Sequence, residues 1–206
     1  MKTKIVLILS AVIFTVIITK VTSSVKYELA CNPILLSVSE KVAIEQVGIT
    51  ERTGKNDNPR IDEYLLGVGL SRGNPYCAAG IYWCFSEACR RMNLPYSEIP
   101  IPRTGLANAI FAFSVKNGRK TGYRAARHDL ITWRKPNTFY GHIERILKTE
   151  KAGWIITIGF NTTPDNGPQN IQGVFIKKRN IYHPLKRMVI RGLTGFYYMN
   201  NQGILK

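Results

Sequence analysis

The apolar positions of this chain change period part-way along, from helical in the first half to strand-like after residue 125. Ser37-x-x-Glu40 has the form of a capping box, and Val42 and Val47 run on to Gly48, a natural stop, which predicts a short helix. Asn58-Pro59 offers an N-cap followed by proline in the first turn, with Ile61, Tyr64, Leu65 and Val68 on one face. The polar stretch 50–58 between them reads as a loop. A third helix opens in the same way at Asn74-Pro75, and Ala78, Ile81, Tyr82, Phe85, Cys89 and Met92 form a continuous helical stripe. Prolines between 95 and 102 break any regular element.

Short β-rich runs follow at 130–133, 142–147, 154–160, 174–178 and 195–198, punctuated by Gly, Pro and Asn as in an antiparallel meander. Helices first and strands afterwards predict one α+β domain, with N-terminal helices packed on a C-terminal antiparallel β-sheet. The chain shows no internal repeat and no low-complexity linker.

The first 24 residues stand apart. Lys2 and Lys4 precede an apolar run from Ile5 to Thr19, and the small residues Thr22, Ser23 and Ser24 follow. This is the layout of a secretory signal, too short for a confident membrane span, with an uncleaved N-terminal anchor as the alternative. Either places the domain, residues 25–206, outside the cytoplasm: periplasmic, at the cell envelope or secreted. Any membrane attachment is through this segment alone.

The 206 residues carry 29 Lys+Arg against 13 Asp+Glu, a formal charge of +16. Removing residues 1–24 takes three lysines and no acid, so +13 belongs to the working domain. Such a surface is drawn to polyanions, whether nucleic acid, anionic lipid or a cell-wall polymer. Export, the absence of zinc-finger spacing and the absence of an unbroken basic block count against nucleic acid.

Four cysteines bear on chemistry: Cys31, Cys77, Cys84 and Cys89. On one helix, Cys77 and Cys84 are separated by about 10.5 Å of rise, and Cys84 and Cys89 by about 7.5 Å. Both exceed the Cα separation of about 7 Å that a disulfide tolerates, while Cys31 stays free to pair with any of them. No CxxC pair exists, which counts against zinc, and no metal or cofactor is expected. Cys77 lies in the first turn of its helix, where free N–H groups and the dipole favour a thiolate nucleophile. Cys84 and Cys89 read as structural. A base must come from His128, His142 or His183. Of these, a strand presents His142 from a sheet edge, but the chemistry alone does not choose.

The segment Gly73-Asn74-Pro75-Tyr76-Cys77-Ala78-Ala79 resembles the nucleophile segment of the CHAP domains (cysteine- and histidine-dependent amidohydrolase/peptidase). Asp129-Leu130-Ile131-Thr132-Trp133, Gly141-His142-Ile143 and the strand ending in Asn161-Thr162 are similar to the family's following elements, in the same order. The resemblance covers residues 41 to 198. It implies a papain-like fold and peptidoglycan hydrolysis, as an amidase or cross-bridge endopeptidase, with Cys77 as nucleophile and His142 as base. The pattern departs at the orienting residue: Gly159-Phe160-Asn161 stands where the family shows Glu-Gly-Asn. Positions 159 and 161 share a strand face, so Asn161 is expected to orient the imidazole. Glu144 replaces a usual glycine and shares a face with His142, a possible electrostatic substitute. The missing glutamate also motivates a second reading, an inactive CHAP-like wall-binding protein. A secreted nucleic-acid binder rests on charge alone. Asn161-Thr162-Thr163 is in addition an N-glycosylation sequon.

Overall fold

A computed structural model of the chain describes residues 24–198, so the expected export signal lies outside the described residues apart from Ser24. The described residues are α+β, with four α-helices and a seven-stranded mixed sheet. In order they form β1 (Lys26–Ala30), α1 (Pro33–Glu45), α2 (Pro59–Gly67), α3 (Cys77–Arg91), α4 (Ala107–Asn117) and β2 (Arg119–Thr121). The strands β3 (Leu130–Arg134), β4 (Gly141–Thr149), β5 (Trp154–Thr162), β6 (Gly173–Asn180) and β7 (Val189–Tyr197) follow. No helix of the described residues is long and apolar enough to cross a membrane.

The expected meander is present as β3 to β6. β7 then returns to pair antiparallel with β3, giving the order β2-β1-β7-β3-β4-β5-β6. The sheet is not purely antiparallel, because β1 lies parallel to β7. That strand escapes a pattern search because its Lys26 is buried rather than exposed, held by Asp129 at 2.9 Å and Glu28 at 3.2 Å. Helix α4 was not anticipated either, although Ala107, Ile110, Phe111 and Ser114 are buried at helical spacing. Small and polar residues at two of those positions weaken the apolar signal.

The Asn-Pro pairs are used unequally. Asn32 and Asn58 cap α1 and α2 through their side-chain oxygens, each followed by proline in the first turn. The capping box expected at Ser37 and Glu40 therefore lies inside α1, and Glu40 is buried against Arg127 and His128 instead. At the third pair, Asn74 donates to the Ser71 carbonyl and hydroxyl, and α3 begins at Cys77. That helix start has no side-chain cap.

Helices α3 and α4 cover one face of the sheet, α3 lies across β4 and β5, and α1 packs against α3. Gly80 permits this approach: a Cβ there would meet the Phe160 ring at 2.2 Å. A smaller apolar cluster of Ile131, Trp133, Ile146, Ile155, Ile181 and Leu193 fills the opposite face. Charge divides along the chain. Residues 24–98 hold 8 basic and 9 acidic side chains, whereas residues 99–198 hold 17 and 4. The positive field therefore originates in the sheet half.

Candidate active site

The third helix delivers Cys77 as its first residue, and the fourth strand delivers His142 as its second. Both are nearly buried, at 5% and 7% exposure, so they meet in a largely desolvated cleft. The thiol donates to the carbonyl of Gly141, the residue preceding His142, at 3.9 Å, a long bond. Gly141 lets β4 start close against β3, since a Cβ there would stand 2.5 Å from the Trp133 carbonyl. The imidazole Nε2 lies 3.1 Å from Glu144 Oε1. The Trp133 ring, on the strand opposite His142, packs 6.1 Å from the imidazole and limits its rotation.

Glu144 is fully buried and four-fold supported. Thr157 Oγ1 donates to its Oε2 at 2.6 Å, and Arg179 contributes Nε at 3.0 Å and Nη2 at 2.7 Å. Burial opposes the carboxylate charge, but hydrogen bonds from His142 and Arg179 overcome it and hold its pKa at about 2. For His142, burial works against the imidazolium. The Cys77 side chain and the Glu144 carboxylate outweigh it, raising the pKa to about 9.

Glu144 and Gly159 are direct cross-strand partners between β4 and β5. A Cβ on Gly159 would lie 2.8 Å from Glu144 Oε1 and 3.0 Å from its Cδ. The glycine thus supplies the space that the glutamate fills.

Asn161 does not orient the imidazole. The β5–β6 register is irregular between Gly159 and Thr162, and Asn161 takes φ +57, so strict alternation fails there. Its Oδ1 accepts from the Tyr76 amide at 3.3 Å. Its Nδ2 donates to Gln172 at 2.7 Å, Asn56 at 3.0 Å and Glu51 at 3.4 Å. Asn161 therefore ties the residue preceding the nucleophile to β5 and to the 50–58 loop. Tyr76 in turn closes the first helical bond to Gly80, leaving the α3 N-terminus facing the cleft.

The other candidates sit elsewhere. His128 pairs with Glu40 at 3.0 Å, and the His183 ring lies edge-on to Trp154. Cys31, Cys84 and Cys89 are buried free thiols, as Cys77 is. Burial pushes the Cys31 and Cys84 thiols up to about 12 and also raises that of Cys89. Sequence reasoning missed Thr157 and Arg179. Their only signal was placement on strands beside β4, which requires the register.

Comparison of the chain with protein-family models, with curated proteins and with solved structures returns no match.

Two hollows flank the pair. One of about 550 Å³ opens beside Cys77 and is walled by Val68, Leu70, Leu106, Phe139 and Tyr140. The other, about 220 Å³, opens beside His142 and is lined largely by polar and cationic side chains.

The linked protonation states predict a pH signature in stability. His142 titrates near 6.5 when unfolded and near 9 in the fold, so its contribution is complete below about pH 6.5 and lost as pH rises through about 9. The Glu144 contribution is complete above about pH 4.5 and lost as pH falls towards about 2. The thermal midpoint of the wild type minus that of His142→Gln should therefore shrink between pH 6.5 and 9. A difference that stays flat over that interval contradicts the assignment.

Proposed function

We propose that the chain is an exported cysteine hydrolase acting on peptide amides of the cell wall, a CHAP-like enzyme with a papain-like arrangement. The observation that carries the reading is the chain Cys77–His142–Glu144. A thiol at a helix N-terminus bonds to the residue that precedes an imidazole, and the Nε2 of that imidazole is held by a buried, charged carboxylate. These are the roles of a nucleophile, a base and an orienting group.

In the reaction, Cys77 Sγ bonds to the amide carbonyl carbon, and its proton resides on His142. The oxyanion forms near the N–H groups at the uncapped start of α3, which is a favourable place for negative charge. His142 gives the proton to the departing nitrogen, the C–N bond breaks, and an acyl thioester remains. Water, deprotonated by His142, then attacks the thioester, releasing a carboxylic acid and restoring the thiol. Glu144 keeps the imidazole aligned and stabilises its charged form throughout.

The inactive wall-binding alternative drew its motive from the missing glutamate. Glu144 standing across from Gly159 favours turnover instead. The excess positive charge of the sheet half suits long-range attraction to an anionic wall polymer, a salt-sensitive effect.

The test is digestion of purified peptidoglycan by wild type and by protein treated with iodoacetamide at neutral pH. Cys77 is expected to alkylate first, since it borders the open hollow at the start of α3, whereas burial raises the pKa values of the other three thiols. Fragment release should fall in step with Cys77 labelling, and mass spectrometry of the fragments identifies the amide that is cut. Full release by protein stoichiometrically alkylated at Cys77 rules the mechanism out.

A further inference from the structure

We propose that the hollow beside His142 is a carboxylate-binding subsite for the leaving half of the substrate, and that Asp165 occupies its lysine until substrate arrives. The cavity holds about 220 Å³, room for a group the size of one small amino acid, and three cations, Lys177, Arg179 and Lys186, reach its wall. No carboxylate lines it.

The three cations are not equivalent. Arg179 is committed to Glu144, and Lys186 has no acidic partner among the described residues. The Lys177 side chain is only 5% exposed, yet its acidic partner, Asp165, is 68% exposed on the loop between β5 and β6. A buried ammonium needs a counter-charge, and this one draws it from a solvated loop rather than from the core. Its remaining protein bond runs to the Thr163 carbonyl at 3.0 Å. An incoming carboxylate can take the place of Asp165 without leaving Lys177 unpaired.

The side of the cleft follows from the chemistry, and this assignment rests on the hydrolase reading. His142 must protonate the departing nitrogen, so the space beside His142, rather than the apolar hollow beside Cys77, receives the amine product. Amides whose leaving amine carries a free carboxylate close to the scissile bond are then the preferred substrates. The apolar hollow takes the acyl half.

The test separates binding from turnover. Cys77→Ala protein is titrated by calorimetry with acetyl-glycyl-glycine and with the same dipeptide as its C-terminal amide, probes that need no stereochemical choice. The carboxylate form should bind at least about tenfold tighter, as expected for a charge-assisted hydrogen bond to a buried partner. Adding Asp165→Asn should tighten it by about threefold further, and adding Lys177→Met should bring the two probes to equal affinity. Equal binding of the two probes by the Cys77→Ala protein overturns the subsite. Inorganic phosphate competing as well as the dipeptide reduces it to a general anion site and overturns the leaving-group assignment. The native enzyme should show the same preference in kcat/KM. Equal turnover of both peptides, despite a binding preference, places the carboxylate on the wrong half of the substrate. A wild type that cleaves neither peptide and releases nothing from peptidoglycan fails the hydrolase reading, and with it that assignment, while the calorimetry still decides the subsite.

Discussion

On the proposed mechanism, Cys77→Ala should lower wall-amide turnover by about 10⁴-fold or more, and adding His142→Ala should cost almost nothing further. Residues that act as one catalytic unit lose their function together, so their effects do not multiply. Alanine suits the first turn of a helix, and the thiol makes only one long hydrogen bond, to Gly141, so the loss is chemical rather than structural. Rates of fragment release from peptidoglycan by the two single variants and the double variant provide the measurement. Retention of a tenth of wild-type activity by Cys77→Ala, or losses that multiply in the double variant, excludes the nucleophile–base assignment.

Glu144→Ala lowers turnover by about 10²- to 10⁴-fold, the range expected when an imidazole loses its orienting carboxylate. It also leaves Arg179 without its partner, which costs stability on the order of 3–5 kcal/mol for a buried pair and somewhat less here, because Arg179 is 17% exposed. The informative variant is therefore the exchange. Gly159→Glu alone places a side chain against the Glu144 carboxyl, where even a Cβ stands 2.8 Å from Oε1. Combined with Glu144→Gly, it moves the carboxylate to the opposite strand at the same point of the ladder. The exchanged protein should recover at least tenfold over Glu144→Ala. In Glu144→Ala the alkaline limb of the rate profile should move below pH 9, because the carboxylate that raises the His142 pKa is gone. A limb that does not move assigns Glu144 a purely structural role. Failure of the exchange to improve on Glu144→Ala shows that the two positions are not interchangeable.

Much of the scaffold was legible along the chain. The α3 stripe is buried from Cys77 to Cys89, and all five anticipated strands exist, the first four at most two residues longer at either end and the last, β7, starting six residues earlier and ending one residue sooner. Periodicity reports burial, and burial of continuous apolar faces is what those elements do. The elements that escaped are those whose buried positions are not apolar: Lys26 on β1 and Ser114 on α4. Arg145 is a similar case, fully buried with its guanidinium bonded to Ser39 and the Leu36 carbonyl. No pattern of hydrophobicity marks a charge that tertiary partners satisfy.

The site divides in the same way. Cys77 stands out by its place in the first turn of a helix, a property of its own element, whereas His142 is singled out among three histidines only by the resemblance. The residue that orients His142 could not be named from order and local chemistry. Strict alternation pointed to Asn161, but a bulge and a left-handed backbone turn that amide towards Tyr76 and Gln172. Glu144 holds the position because β4 and β5 pair Glu144 with Gly159, and because Thr157 and Arg179 surround its carboxylate. The order of elements, the basic excess and the nucleophile candidate were properties of the sequence itself. Which side chain completes the site depended on cross-strand register, and register is set by packing between segments far apart in the chain.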